Sequence, residues 1–156
     1  VVVSQPRRLA ATSLAQRVAS HRGEAVGGSV GYRIGQDKKD SKDTEVLFVT
    51  TGYLLQYLGH NPDNIDRFTH VVLDEIHERS LDGDLLGLVI RKLLRSGHSF
   101  KLIVMSATLQ EGVFEDYFTP PPEAPQPPIF VGVKRFPVEC THLEGMAQQL
   151  PELWGG

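Results

Sequence analysis

Cys140 is the only cysteine among 156 residues. That excludes an internal disulfide and any zinc site built from cysteine pairs, and it points to a reducing, intracellular setting. No apolar run approaches the roughly 20 residues a bilayer-spanning helix needs, and no signal-peptide pattern opens the chain. The six histidines, at 21, 60, 70, 77, 98 and 142, never fall at H-x-x-x-H spacing, so a helical zinc motif is missing too. No internal repeat is visible. An apolar fraction of 40% and a charged fraction of 22% fit neither a disordered tail nor a membrane protein. They fit one globular domain with a real core.

What is present begins with an uneven charge. Residues 1–42 hold eight Lys/Arg (Arg7, Arg8, Arg17, Arg22, Arg33, Lys38, Lys39, Lys42) against Glu24, Asp37 and Asp40, while the remainder is strongly acidic. A basic front on an acidic body is compatible with a polyanion-binding face, and equally with plain surface unevenness.

The elements alternate. Val1–Gln5 reads as a short strand, and Arg8–Arg22 as a helix with its stripe on Leu9, Thr12, Leu14, Ala15, Val18 and Ala19. Ser29–Ile34 is β-like, Gln36–Thr44 a polar surface loop, Glu45–Val49 a strand, Thr51–Leu58 a short helix and 61–64 a turn. His70–Asp74 is a strand, Asp82–Leu94 an amphipathic helix and Lys101–Met105 a strand; Thr108 to Phe118 reads as a helix, with Thr108 to Glu111 as its capping box. The Pro-rich loop 119–128 can continue neither kind of element. Ile129–Val133 and Pro137–Thr141 read as two last strands, and 142–156 as frayed. Unalternated apolar strands between helices predict an α/β fold, a mostly parallel sheet covered on both faces.

In such a sheet ligands collect at the carboxyl ends of the strands. Four polar clusters fall there: Gln5-Pro6-Arg7-Arg8, Thr50-Thr51-Gly52, Asp74-Glu75 and Ser106-Ala107-Thr108. Asp74 at a strand tip suits Mg²⁺ held through water, and Glu75 beside it suits orientation of an attacking water. A solvated strand end reads equally well, and a zinc site on Asp74, His77 and Glu78 is a third possibility. Arg7 and Arg8 open a helix, where side chains of the opposite sign are favoured; that misplacement fits an anionic ligand. Thr50 and Thr51 offer two hydroxyls where capping needs one, and Ser106 and Thr108 offer two more beside the Asp74 cluster.

In order, S-Q-P-R-R-L-A-A, T-T-G-Y-L-L, D-E-I-H-E-R-S and S-A-T resemble motifs Ia, Ib, II and III of the first RecA-like domain of DEAH-box helicases, in helicase superfamily 2. R-F-P-V-E is similar to that family's exit segment. The resemblance implies a three-layer RecA-like fold of P-loop NTPase type, incomplete here, over 1–141, with 142–156 starting a linker toward a second such domain. It implies ATP and Mg²⁺ as cofactors, with Asp74 holding Mg²⁺ through water and Glu75 activating the hydrolytic water. His77, Ser106 and Thr108 would couple that site to RNA. Arg7, Arg8, Thr50 and Thr51 would grip the backbone of a single strand without reading bases. The family acts mostly on RNA, within ribonucleoprotein assemblies or with protein activators, and not at membranes. Two departures stand out: Gly35 follows V-G-Y-R-I where the family commonly carries Arg, making Arg33 the substitute RNA contact, and Ile76 replaces the usual Ala.

No G-x-x-x-x-G-K-[ST] loop occurs, nor even a Gly-Lys pair. The chain starts in mid-strand by appearance and ends on W-G-G, and reads as a piece of an ATP-dependent RNA helicase, inactive by itself. The alternative is a non-catalytic helicase-like module that binds RNA or protein.

Overall fold

The computed structural model describes residues 1–107, 113–119, 124–129 and 131. Six strands form one sheet: β1 (Val2–Gln5), β2 (Val30–Ile34), β3 (Asp37–Lys39), β4 (Val46–Thr50), β5 (His70–Leu73) and β6 (Lys101–Val104). Their order is β3-β2-β4-β1-β5-β6, parallel throughout except that β3 runs antiparallel to β2. Four helices accompany them: α1 (Arg8–His21), α2 (Thr51–His60), α3 (Leu81–Arg95) and α4 (Val113–Phe118).

Both faces of the sheet are covered, as the unbroken apolar strands require. On one face Val2, Val49, Val71 and Leu73 pack against Leu54 and Leu58 of α2 and Leu86 and Ile90 of α3. On the other, Val3, Val30, Tyr32, Phe48 and Val72 meet Ala11, Ala15 and Ala19 of α1. Adjacent valines of β1 thus serve opposite cores, as the two-residue period of a strand dictates.

The structure differs from expectation in three places. Residues 37–39 are a strand rather than loop; Gly35, at φ 63, turns the chain so that Ile34 faces Asp37. β3 is fully exposed and carries Lys38 and Lys39, the charged composition of an edge strand, so no apolar alternation announces it. In α1 the buried stripe is Ala11, Ala15 and Ala19, while Leu9 is 79% exposed. Ala15 and Ala19 were expected there, with Leu14 and Val18 packed beside them; the difference is Ala11 in place of Leu9, because small residues let the helix lie close to the sheet. The expected turn at 61–64 opens a 3₁₀ helix, Pro62–Arg67, capped by Asn61. The capping box at 108–111, the strand at 137–141, most of the strand at 129–133 and the stretch 142–156 lie outside the described residues.

Candidate functional site

Parallel register brings the strand ends to one edge. Gln5 pairs with Thr50, Ser4 with Leu73 and Leu73 with Val104, so the segments that follow β1, β4, β5 and β6 emerge side by side. Asp74 comes first after β5. Its amide donates to the Ser4 carbonyl at 3.2 Å, carrying the ladder one residue beyond the strand. Its carboxylate is held from two sides: Oδ1 accepts the Glu75 amide at 2.8 Å and Oδ2 accepts Nε2 of Gln5 at 2.6 Å.

Glu75 then adopts the left-handed region, φ 54 and ψ 36, and Arg79 does the same at φ 49 and ψ 42. They are the two non-glycine residues of positive φ among the described residues, and they bracket one 3₁₀ turn, Ile76–Glu78. Each such residue costs about 1–2 kcal/mol. Two in one loop mark strain of the kind that clusters at functional sites. The loop is tied down by the Ile76 amide on the Met105 carbonyl, 3.3 Å, and by Arg79 Nε on Asp84, 2.9 Å. The Asp84 carboxylate holds the Arg79 guanidinium above its ordinary pKa.

His77 sits between two of these segments. Its Nδ1 is 3.4 Å from Glu75 Oε2 and 3.2 Å from the Ser106 hydroxyl. One imidazole therefore links the loop after β5 to the segment after β6. Thr108 lies outside the described residues.

Arg7, at the N-cap of α1, is 74% exposed and reaches Glu78 at 2.9 Å; no acidic residue occupies that helix's first turn. Arg8, exposed beside it, has no carboxylate in ion-pair range among the described residues. Thr50 is the N-cap of α2 and makes no side-chain cap bond. Thr51 is buried, its hydroxyl 3.1 Å from that of Ser4. Arg33 is turned onto Asp40, 2.6 Å, and the Tyr53 hydroxyl, 3.2 Å; its pKa is raised above normal mainly by the Asp40 bond. It borders a cavity of about 260 Å³ on the α2 flank that includes neither Asp74, Glu75 nor His77.

Of the residues expected from sequence, Asp74, Glu75, His77 and Ser106 meet within one network, with Arg7 joined to it through Glu78. Thr51 borders it through Ser4 and Thr50 through its register partner Gln5, and Arg33 stands apart. Sequence reasoning placed Gln5 in a strand-end cluster without giving it a role, and missed Ser4 and the pairing role of Glu78. The signal for Gln5 was a polar residue closing an apolar strand, legible only once β1 is known to lie beside β5. The zinc arrangement on Asp74, His77 and Glu78 is not assembled: Glu78 turns to Arg7, and among the described residues no three His, Cys, Asp or Glu side chains converge as metal ligands.

A mostly parallel sheet with an Asp-Glu pair at its carboxyl edge and arginines at a neighbouring helix start defines a RecA-like helicase domain. The chain belongs to the DEAD/DEAH box helicase family, whose model matches residues 1–116. It is 44% identical over 121 residues, 78% of its length, to a probable ATP-dependent RNA helicase spindle-E of Anopheles gambiae. It is 39% identical over 149 residues, 96% of its length, to the DExH-box ATP-dependent RNA helicase DExH1 of Arabidopsis thaliana. Among solved structures, the E. coli DExH-box NTPase HrpB superposes with a TM-score of 0.64 at 37% identity over 71% of the chain. The chain spans only 8% and 14% of those two relatives and 14% of HrpB.

Proposed function

We propose that this chain is the motif-bearing part of the first RecA-like domain, residues 1–141, of an intracellular ATP-dependent RNA helicase, with 142–156 leading toward a second domain. The observation that carries the reading is the anchored Asp74 carboxylate with Glu75 beside it and His77 tying Glu75 to the segment after β6. A single fixed carboxylate at a strand end suits a hydrated Mg²⁺, an ion that keeps most of its waters. Asp74 would hold it through water, and the ion would neutralise phosphate charge. Glu75, 41% exposed and 3.4 Å from His77, would take a proton from the attacking water.

Arg7 and Arg8, at the start of α1, would bind phosphates of a single strand, with Thr50 and the unfilled N–H groups of α2 beside them. Thr51 supports that edge from within, since its hydroxyl is already bonded to Ser4. Arg33 contributes by holding the β2–β3 turn, and meets RNA only if Asp40 releases it. Phosphate and sugar contacts of this kind carry no base preference.

In the full-length protein, Glu75→Gln is expected to lower RNA-stimulated ATP turnover by at least about 100-fold while nucleotide binding persists. Near-normal turnover by that variant would sink the assignment.

A further inference from the structure

β1 ends on Gln5, one of three buried polar residues among those described, with Ser4 and Thr51. A carboxamide in that position is unfavourable unless bonded. The pairing of Val3 with Val72 and Ser4 with Leu73 sets Gln5 alongside Asp74, and alternate residues of a strand share a face, so both side chains leave the sheet on the same side. The amide at 2.6 Å and the Glu75 N–H at 2.8 Å together fix the plane of the Asp74 carboxylate. Ser4 cannot do the same, because its hydroxyl points to the opposite face, toward Thr51.

Gln5 is also the near neighbour of Arg7. Only Pro6 separates them, and proline restricts both its own backbone and that of the residue before it. Arg7 contacts Glu78, so the short unit Gln5-Pro6-Arg7 is bonded to the loop after β5 at both of its ends. A phosphate that draws the exposed Arg7 away from Glu78 acts on a stiff unit whose other end grips Asp74.

We propose that Gln5 is a positioning residue: it orients the Asp74 carboxylate toward a divalent cation and transmits the RNA occupancy of Arg7 to that carboxylate. This rests on the helicase reading above. Partners that hold direct metal ligands in place govern metal affinity by about 10- to 100-fold, and a carboxylate that meets the ion through water calls for the lower end of that range. Gln5 acts from inside the segment that meets the nucleic acid.

The test uses the full-length protein with Gln5→Met, which keeps the side chain's length without its donor, and Gln5→Glu, which sets a second carboxylate against Asp74. Binding of a fluorescent ATP analogue is titrated with Mg²⁺ and repeated in EDTA, and ATP turnover is measured with and without single-stranded RNA. In both variants the Mg²⁺ concentration for half-maximal tightening of the analogue is expected to rise about 10-fold or more. Affinity in EDTA and RNA affinity without nucleotide should stay within about two-fold of wild type, and stimulation by RNA should largely vanish. If Gln5→Met does not fold, Gln5→Glu, close in shape to the native side chain, carries the comparison. A Mg²⁺ requirement and RNA stimulation unchanged in the folded variants overturn the role of Gln5 alone. A merely structural role, shown by a lower melting temperature with all affinities declining together, overturns it as well. A wild-type protein without Mg²⁺-dependent nucleotide binding would overturn the helicase reading itself.

Discussion

At the level of single residues, the Arg7–Glu78 pair shows how a binding group can be occupied before its ligand arrives. The pair is well formed at 2.9 Å but largely solvated, Arg7 being 74% exposed, and such pairs contribute only about 0.2–1 kcal/mol. A phosphate can therefore displace Glu78. Glu78→Gln is expected to tighten RNA binding by about two- to five-fold at low salt, measured by fluorescence anisotropy. Unchanged or weaker binding would show that Arg7 does not exchange partners. Replacing Arg7 and Arg8 together with alanine should weaken binding to unrelated RNA sequences alike. It should also flatten the log–log salt dependence by about 1.4, the slope of two phosphates on a single strand. A loss confined to one sequence would contradict backbone contact.

Two connections between elements hold β2 in place. The first is Glu24, between α1 and β2, whose carboxylate accepts both the hydroxyl and the amide of Ser29. Those bonds, the hydroxyl foremost, hold its pKa below the ordinary value. A group whose folded pKa is depressed stabilises the fold above its unfolded pKa and loses that contribution as pH falls through the folded one. Glu24→Gln should therefore lessen the fall in urea midpoint between about pH 5 and pH 3. An equal fall in both proteins would remove Glu24 from the account. The second connection is the β2–β3 hairpin. A Cβ on Gly31 would lie 2.6 Å from the Lys39 carbonyl, a backbone atom that cannot step aside cheaply. Gly31→Ala is expected to cost about 1–3 kcal/mol and to loosen the Arg33–Asp40 pair. A denaturation midpoint equal to wild type would show that the hairpin yields freely.

For the whole molecule, one sheet with two separate apolar cores supplies the rigidity that keeps four strand ends in register. Ile90 is fully buried in the core beneath α2 and α3. Ile90→Ala should cost about 2–5 kcal/mol by calorimetry, and a change under about 0.5 kcal/mol would mean that this face is not close-packed. The two faces also explain how far the sequence could be read. The parallel α/β class, the position of every described strand except β3, and the grouping of polar clusters at one edge follow from apolar runs, turn residues and their order. β3 escaped because an exposed, charged edge strand has no apolar period. The stripe of α1 was legible in Leu14, Ala15, Val18 and Ala19; only Ala11, too small to look apolar beside Leu9, was passed over.

The chemistry divides in the same way. Local order along the chain was enough to name Asp74, Glu75, His77, Arg7 and Arg8, because a strand end, a helix start and the types of the adjoining residues are local properties. Tertiary structure alone decided what those groups touch. Gln5 meets Asp74 across 69 residues and Arg7 meets Glu78 across 71, through a pairing of β1 with β5 that no local pattern states. Likewise the inward turn of Thr51 and the capture of Arg33 by Asp40 depend on which face of which strand lies opposite. Residue identity determined what the edge could do. Strand register determined which of those groups act together, because side chains at a sheet edge meet only when their strands are neighbours and in step.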